Sequence, residues 1–310
     1  MMATVTSAAP SAQQTATRRG LFSWRNRQLM IAFLFILPAI INFTVFRYIP
    51  IVASVRASFY EYSLLRGLRD FIGLDHYARM LSDQTFWQSL QVTSLFVLYK
   101  VPIQIVLSLA LAVLLQRETI GAGVVRSAIL TPMVTSVIVG SIIWAMMYHS
   151  QLGLIQSMLN AVGLPRQAFL SDASRALPAV TVMMIWKDLG FSFIILLAGL
   201  KAIPQTYYEA ALVDGANAWE AFRRVTIPLL MPVIMFVVVT QAVFSFQVFV
   251  PVYQMTRGGP LDSTKVLVYY IYQQGFRFQD MGYASALSVV ALIIMVIISY
   301  FLMRWLRPQT

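Results

Sequence analysis

The sequence predicts an all-α integral membrane protein of six transmembrane helices, with one polar loop that leaves the membrane. Three observations carry that expectation. Of 310 residues, 59% are hydrophobic and 11% charged, where a soluble domain has about 45–50% apolar and about 25% charged residues. The apolar residues gather into uninterrupted blocks of about 20, the length a helix needs to cross a bilayer, without the alternation of a membrane strand. Finally, five charged residues, Glu209, Asp214, Glu220, Arg223 and Arg224, crowd into sixteen positions between two of those blocks.

In chain order, residues 1–28 read as a disordered basic tail. MMATVTSAAPSAQQTAT lacks the apolar surface to offset ordering entropy, and Arg18, Arg19, Arg25 and Arg27 follow it. Residues 29–306 read as one transmembrane domain. Its first block, Leu29–Phe46, is too long for a signal-peptide core and precedes no small-residue cleavage site, so it is expected to stay as a span. Further spans are expected over Leu90–Leu115, Val125–Tyr148, Leu177–Leu200, Ile227–Gln254 and Tyr283–Trp305. Pro38, Pro102 and Pro132 fall inside or near the ends of spans, where proline kinks a helix whose neighbours satisfy the freed carbonyls. Trp144, Tyr148, Tyr60 and Tyr62 read as interfacial anchors, and Gly258-Gly259-Pro260 as a turn.

Lys and Arg divide almost evenly between the two sides of the membrane. The arginine cluster before the first block has no acidic neighbour, and the first helix usually sets orientation. Both termini are therefore expected inside, and the polar loop, residues 204–228, with them.

The net charge of +11 comes from arginines scattered between apolar blocks, so they read as membrane flanks and not as a nucleic-acid face. The chain has no cysteine and only two histidines, His76 and His149. Thiolate or histidine metal sites and imidazole catalysis are accordingly set aside, as is a membrane hydrolase, for want of a nucleophile and base pair. No G-x-x-x-x-G-K-[ST] phosphate loop is present either.

Within the polar loop, Pro204 suits the start of a helix over QTYYEAALV, and Asp214-Gly215 breaks it, since glycine costs least in a left-handed cap. Trp219, Phe222 and Val225 recur every three residues as an apolar edge, with Glu220, Arg223 and Arg224 around the rest, and Pro228 starts the next span. Such a knob suits a socket in another protein, or else lies on lipid headgroups.

Glu209-Ala210-Ala211, Asp214-Gly215-Ala216, Phe222, Ile227-Pro228-Leu229 and Pro232 resemble the EAA loop of permease subunits of binding-protein-dependent ABC importers, more narrowly the carbohydrate-uptake class. The likeness continues in FILPAI, RYIPIVASVRASFYEY, FIGLDHYARMLSDQTFW, LLAGLKAIP and TRGGPLDSTKVLVYYIYQQGF. It implies the type I importer permease fold in a bacterial inner membrane. The implied partners are a second, homologous permease forming a heterodimer, a cytoplasmic ABC ATPase dimer that holds ATP and magnesium, and an extracytoplasmic solute-binding protein. This chain would itself hold no cofactor. In that family the loop enters a cleft on the ATPase. Carried over, Glu209 would pair with a basic group there, Gly215 would form the bend and Ala216 to Phe222 would fill the cleft. Ala210, Ala211, Asp214, Trp219 and Arg223 complete the coupling set.

Charged groups inside a span cost about 2.5–3.5 kcal/mol on insertion scales and so face protein or water. Lys100, Lys187 and Asp188 are candidates for a solute path, or for an interhelical salt bridge that fixes packing. Gln241, Phe244 and Gln247 recur at near-helical spacing, and with Thr240 and Tyr253 they offer amides, a hydroxyl and aromatic faces suited to a sugar, or else to bonding between helices. Neutral sugars, polyols, glycerol phosphodiesters and anionic sugar derivatives all remain open. The rival reading is an ion-coupled secondary transporter in which Asp188 and the lysines carry ions; the inverted repeat it expects is not evident.

Overall fold

Apolar helices dominate the computed structural model, which describes residues 24–117 and 119–305. The chain divides into two compact units after Ala53. The first is continuous helix: α1 (Trp24–Phe43), a wide π turn at Thr44–Tyr48, and the start of α2 (Ile49–Ala57). Helix thus begins at Trp24, within the stretch assigned to the tail; residues 1–23 of that tail lie outside the described residues. In the π turn the Ile49 N–H reaches back five residues to the Thr44 carbonyl. Pro50 follows with no N–H to offer, so the ladder widens where it loses a donor. The span Arg27–Ala57 has a mean hydropathy of 2.5 with none of that window buried, a surface that lipid or another protein must cover.

The second unit opens with a hairpin the sequence reading lacked, antiparallel β1 (Tyr60–Ser63) and β2 (Gly67–Phe71). Helix α3 (Asp75–Ser82) then leads to Asp83, whose Oδ1 caps α4 (Gln84–Leu114) by accepting the Thr85 and Phe86 amides at 2.9 and 3.3 Å. Asp83 Oδ2 accepts the hydroxyls of Tyr270, on α13 (Leu267–Tyr272), and Tyr283, on α14 (Met281–Trp305), at 2.5 and 2.6 Å. Burial alone would raise this carboxyl; the two hydroxyls and two amides outweigh it and hold Asp83 below its ordinary 3.8. One carboxylate so ties α4, α13 and α14 together. Nearby, Arg79 pairs with Asp280 at 2.7 Å and lies over the Tyr283 ring.

The third block is not one straight span. Helices α5 (Ala122–Val134) and α6 (Val137–Met147) meet at 103°. Pro132 removes a ladder bond, and Thr135 and Ser136 then turn extended, with ψ of 141° and 132°. Tyr148 is also not an interfacial anchor. It is 6% exposed, packs on Trp144 and Phe169, and donates to the Ala179 carbonyl at 3.3 Å.

After α7 (Leu154–Ala161), Asp172 caps the long α8 (Ala173–Lys201). The polar loop holds α9 (Gln205–Val213) and α10 (Ala218–Ala221), and a π turn at Phe222–Thr226 leads into α11 (Ile227–Phe246). Pro228 therefore does not begin a span: helix runs unbroken from Ala218 to Phe246. As before Pro50, the wider turn sits where a proline withholds its donor. The fifth span also ends short of the expected Gln254. Pro251 cannot donate to the Gln247 carbonyl, so helix stops at Phe246 and restarts as α12 (Val250–Met255).

Helices α4, α8 and α11 form the centre. Phe193, Leu196, Leu200, Leu230 and Val237 make a buried apolar cluster between them. A Cβ on Gly199 would stand 2.8 Å from Leu230, and one on Gly190 2.8 Å from the Ile129 carbonyl. These two glycines let α8 approach its neighbours closely, as small residues do between membrane helices.

Candidate functional site

Helix α4 buries a polar stripe, Ser89, Thr93, Lys100, Gln104 and Ser108, at spacings that keep it on one face. Lys100, in the middle of α4, is 0% exposed. Its ammonium donates to Asp188 Oδ2 at 2.6 Å, Gln241 Oε1 at 3.0 Å and Ser245 Oγ at 3.2 Å. An ammonium has three protons, and all three are used. Gln104 continues the seam, donating to the Asp188 carbonyl at 3.0 Å and Ser192 Oγ at 2.9 Å. Of the two readings left open for Lys100, the geometry realises the interhelical salt bridge.

Lys187 does not join that pair. Its ammonium donates to the Met133 carbonyl at 2.8 Å, in the last turn of α5 where the break leaves carbonyls without donors. It thus closes the elbow between α5 and α6.

The expectation that Gln241, Phe244 and Gln247 share one side is corrected. Gln241 is buried against Lys100, whereas Phe244 and Gln247 are exposed. Three residues fall roughly 60° short of a full turn at 3.6 residues per turn, so steps of three drift round the helix. Asp188 bridges the two environments, with Oδ2 on Lys100 and its side chain 23% exposed. About one turn further along α8, the Phe191 ring lies 6.2 Å from that of Phe244. Gln247 reaches the Met295 sulfur at 3.6 Å. Tyr253 belongs to a run of rings the sequence reading did not assemble: it stacks on Phe249 at 5.4 Å and meets Tyr272 edge-on at 5.6 Å, and Tyr272 stacks on Phe276 at 5.4 Å. The signal was present in the spacing of Tyr269, Tyr272 and Phe276, three and four residues apart on one helical face.

The polar loop is built the opposite way. No residue of α9 or α10 is buried, and Glu209, Ala210, Asp214, Gly215 and Arg223 are exposed, with Ala211, Ala216 and Phe222 half-buried. Its backbone is nonetheless closed. Gly215, at φ 79°, ends α9 as the Ala216 and Gly215 amides reach the Ala211 and Leu212 carbonyls at 2.9 and 3.0 Å. Asn217 then caps α10 in a reciprocal box: its Oδ1 accepts the Trp219 and Glu220 amides at 3.0 Å, and Glu220 Oε2 accepts the Asn217 amide at 3.0 Å. Tyr208 and Thr226 hydroxyls meet at 3.0 Å and pin α9 to the π turn. Trp219, 68% exposed, stacks on Phe222 at 5.6 Å. A hairpin this well determined with an apolar crest left bare can fill a socket in another protein.

Among the described residues no group of His, Asp and Glu could hold a metal ion. The 103° elbow leaves five helices long and apolar enough to cross a membrane, or six with the bent pair taken as one span.

Residues 88–310 match the family described as the binding-protein-dependent transport system inner membrane component. The chain is 37% identical over 282 residues to the probable ABC transporter permease protein YesP of Bacillus subtilis, covering 89% of this chain and 90% of that protein. It is 32% identical to the trehalose/maltose transport system permease protein MalF of Thermococcus litoralis, covering 86% and 90%. The fold matches a chain of a bacterial ABC transporter involved in import of the acidic polysaccharide alginate. The TM-score is 0.79 and the identity 24%, with 93% of this chain and 99% of the other covered.

Proposed function

We propose that this chain, which belongs to the family of inner membrane components of binding-protein-dependent transport systems, passes a sugar or sugar derivative across the cytoplasmic membrane as one half of a heterodimeric ABC importer permease. Its partners are a second, homologous permease, an ATPase dimer that holds ATP and magnesium, and an extracytoplasmic binding protein. Both termini and the 204–228 hairpin lie inside. The observation that carries the reading is that hairpin, with the Asp214, Gly215 and Ala216 amides of its bend bonded, no residue of α9 buried and Trp219 standing clear. Glu209, Asp214 and Arg223 supply charges around the crest for the ATPase cleft. When ATP draws the two ATPase domains together, each hairpin follows, and its rigid continuation from Ala218 to Phe246 turns the fifth span.

The solute path runs along α8, α11 and α12, past Asp188, Phe191, Phe244, Gln247 and Tyr253. These residues offer the aromatic faces and hydrogen-bonding groups a sugar requires. Lys100, Gln241 and Lys187 stand behind it as the frame. The ion-coupled alternative finds little support in Lys100, whose protons are already committed to three acceptors.

Reconstitution tests the reading. Proteoliposomes holding the complete assembly should accumulate sugar with ATP and the binding protein while ionophores collapse every ion gradient. Uptake by this chain alone, driven by an ion gradient, would overturn it.

A further inference from the structure

The mid-membrane charges are placed with a polarity that bears on which sugars can pass. Lys100 is the sole charged residue of α4, α11 has none, and Arg304 sits in the last turn of α14. Away from the helix ends, the charges of α4, α8 and α11 are therefore Lys100, Lys187 and Asp188. Lys100 is fully buried and its three protons are spent. Lys187 is 9% exposed and bonded to the Met133 carbonyl. Neither cation is presented to a solute. The carboxylate is: Asp188 Oδ2 takes the Lys100 ammonium, while Oδ1 has no hydrogen-bond partner among the described residues and the side chain keeps 23% of its exposure. Lipid is an unfavourable neighbour for that oxygen. About one turn further along α8, the Phe191 ring meets that of Phe244 at 6.2 Å.

We propose that Asp188 sets the charge selectivity of the path, accepting hydrogen bonds from the hydroxyls of neutral sugars and turning back sugars that carry a carboxylate or phosphate. The proposal deepens the sugar-path reading above and rests on it. A sugar hydroxyl can donate to Asp188 Oδ1 over the flanking rings. An anionic group brought to Oδ1 meets carboxylate oxygen first, with no proton to bond, because the ammonium that neutralises Asp188 is spent on Oδ2, Gln241 and Ser245. The buried lysine compensates the carboxylate from behind without offering a proton forward. Lysines in the membrane would suggest an anionic solute; their bonds in the structure point the other way.

The test is equilibrium binding to the assembled permease and ATPase in nanodiscs, without the binding protein, so that its own preference does not enter. The probes are radiolabelled neutral disaccharides and the same sugars with a primary hydroxyl oxidised to a carboxylate. The native assembly should prefer the neutral form at least about tenfold, ~1.4 kcal/mol, and Asp188→Asn should bring the two within about twofold of each other. Equal or tighter binding of the oxidised form by the native assembly would overturn the proposal, as would an inserted Asp188→Asn assembly whose preference is unchanged. If that variant fails to insert because Lys100 is left unpaired, Lys100→Met with Asp188→Asn removes both charges and is read in its place; the native ratio stands as a test on its own. Should no sugar bind while a neutral solute of other chemistry does, the sugar reading falls and the charge rule survives. Should the solute that binds be an anion, the charge rule falls.

Discussion

The seam around Lys100 and the hairpin around Gly215 treat charge in opposite ways. In the seam the ammonium is sealed among α4, α8 and α11 and satisfied by three acceptors. In the hairpin Glu209, Asp214, Arg223 and Arg224 all face outward and the apolar crest is bare. The first arrangement makes three helices one body. The second leaves its charges and Trp219 on the surface. Damage to the seam should therefore appear as lost stability, and damage to the hairpin as lost coupling in a protein that still folds.

The largest effect is expected from breaking one side of the seam. Lys100→Ala leaves Asp188 without its partner and should cost about 3–5 kcal/mol, whereas Lys100→Met with Asp188→Leu should recover most of it. Insertion yield and thermal unfolding in detergent check both; equal losses in the two proteins would show that packing volume and not charge holds the seam. Next comes the bend of the hairpin. Gly215→Val forces a branched side chain to a φ of 79°, with no neighbouring atom within 4 Å to clash, so the cost is backbone strain of about 1–3 kcal/mol. The variant should insert normally while solute-stimulated ATPase activity disappears, and normal stimulation would break the contrast.

The smallest effect sharpens the comparison with a third kind of site. Asp83 is neither ion-paired nor bare, and hydroxyls and amides hold it below 3.8. A depressed carboxylate contributes stability that is present above its unfolded value and lost as pH falls through its folded value. Acidification from pH 5 to below 3.8 should thus loosen the junction of α4, α13 and α14 in the native chain. Asp83→Asn should start weaker and respond less. Hydrogen exchange at Thr85 and Phe86 against pH reads the difference, and parallel profiles would remove Asp83 from the account.

Much of this was legible in the sequence because long apolar blocks admit few structures in a membrane. The hairpin's bend was legible too, since Asp214-Gly215 is local chemistry that needs no neighbour. Pairing was not. Whether Lys100 met Asp188 or faced an opening depends on how α4, α8 and α11 rotate against one another, and each is apolar nearly all round. Gln241 and Gln247 looked equivalent because spacing alone hides the drift that buries one and exposes the other. The elbow at Thr135 and the stop at Gln247 were half visible, in Pro132 and Pro251, but a proline says only that a helix is disturbed and not whether it bends, widens or ends. Pro50 and Pro228 widen it; Pro251 ends it. The small hairpin Tyr60–Phe71 escaped notice because its strands are short and it is held by His76 and Asp280 from elsewhere in the chain.

The wide turn at Phe222–Thr226 carries one residue more than regular helix would need for the same rise. Each residue rotates a helix by roughly 100°, so that single surplus residue sets the compass bearing of Trp219 relative to the fifth span. Shortening the chain there by one position would leave composition, span length and bend intact. It would still swing the crest about a quarter turn around the axis of the fifth span.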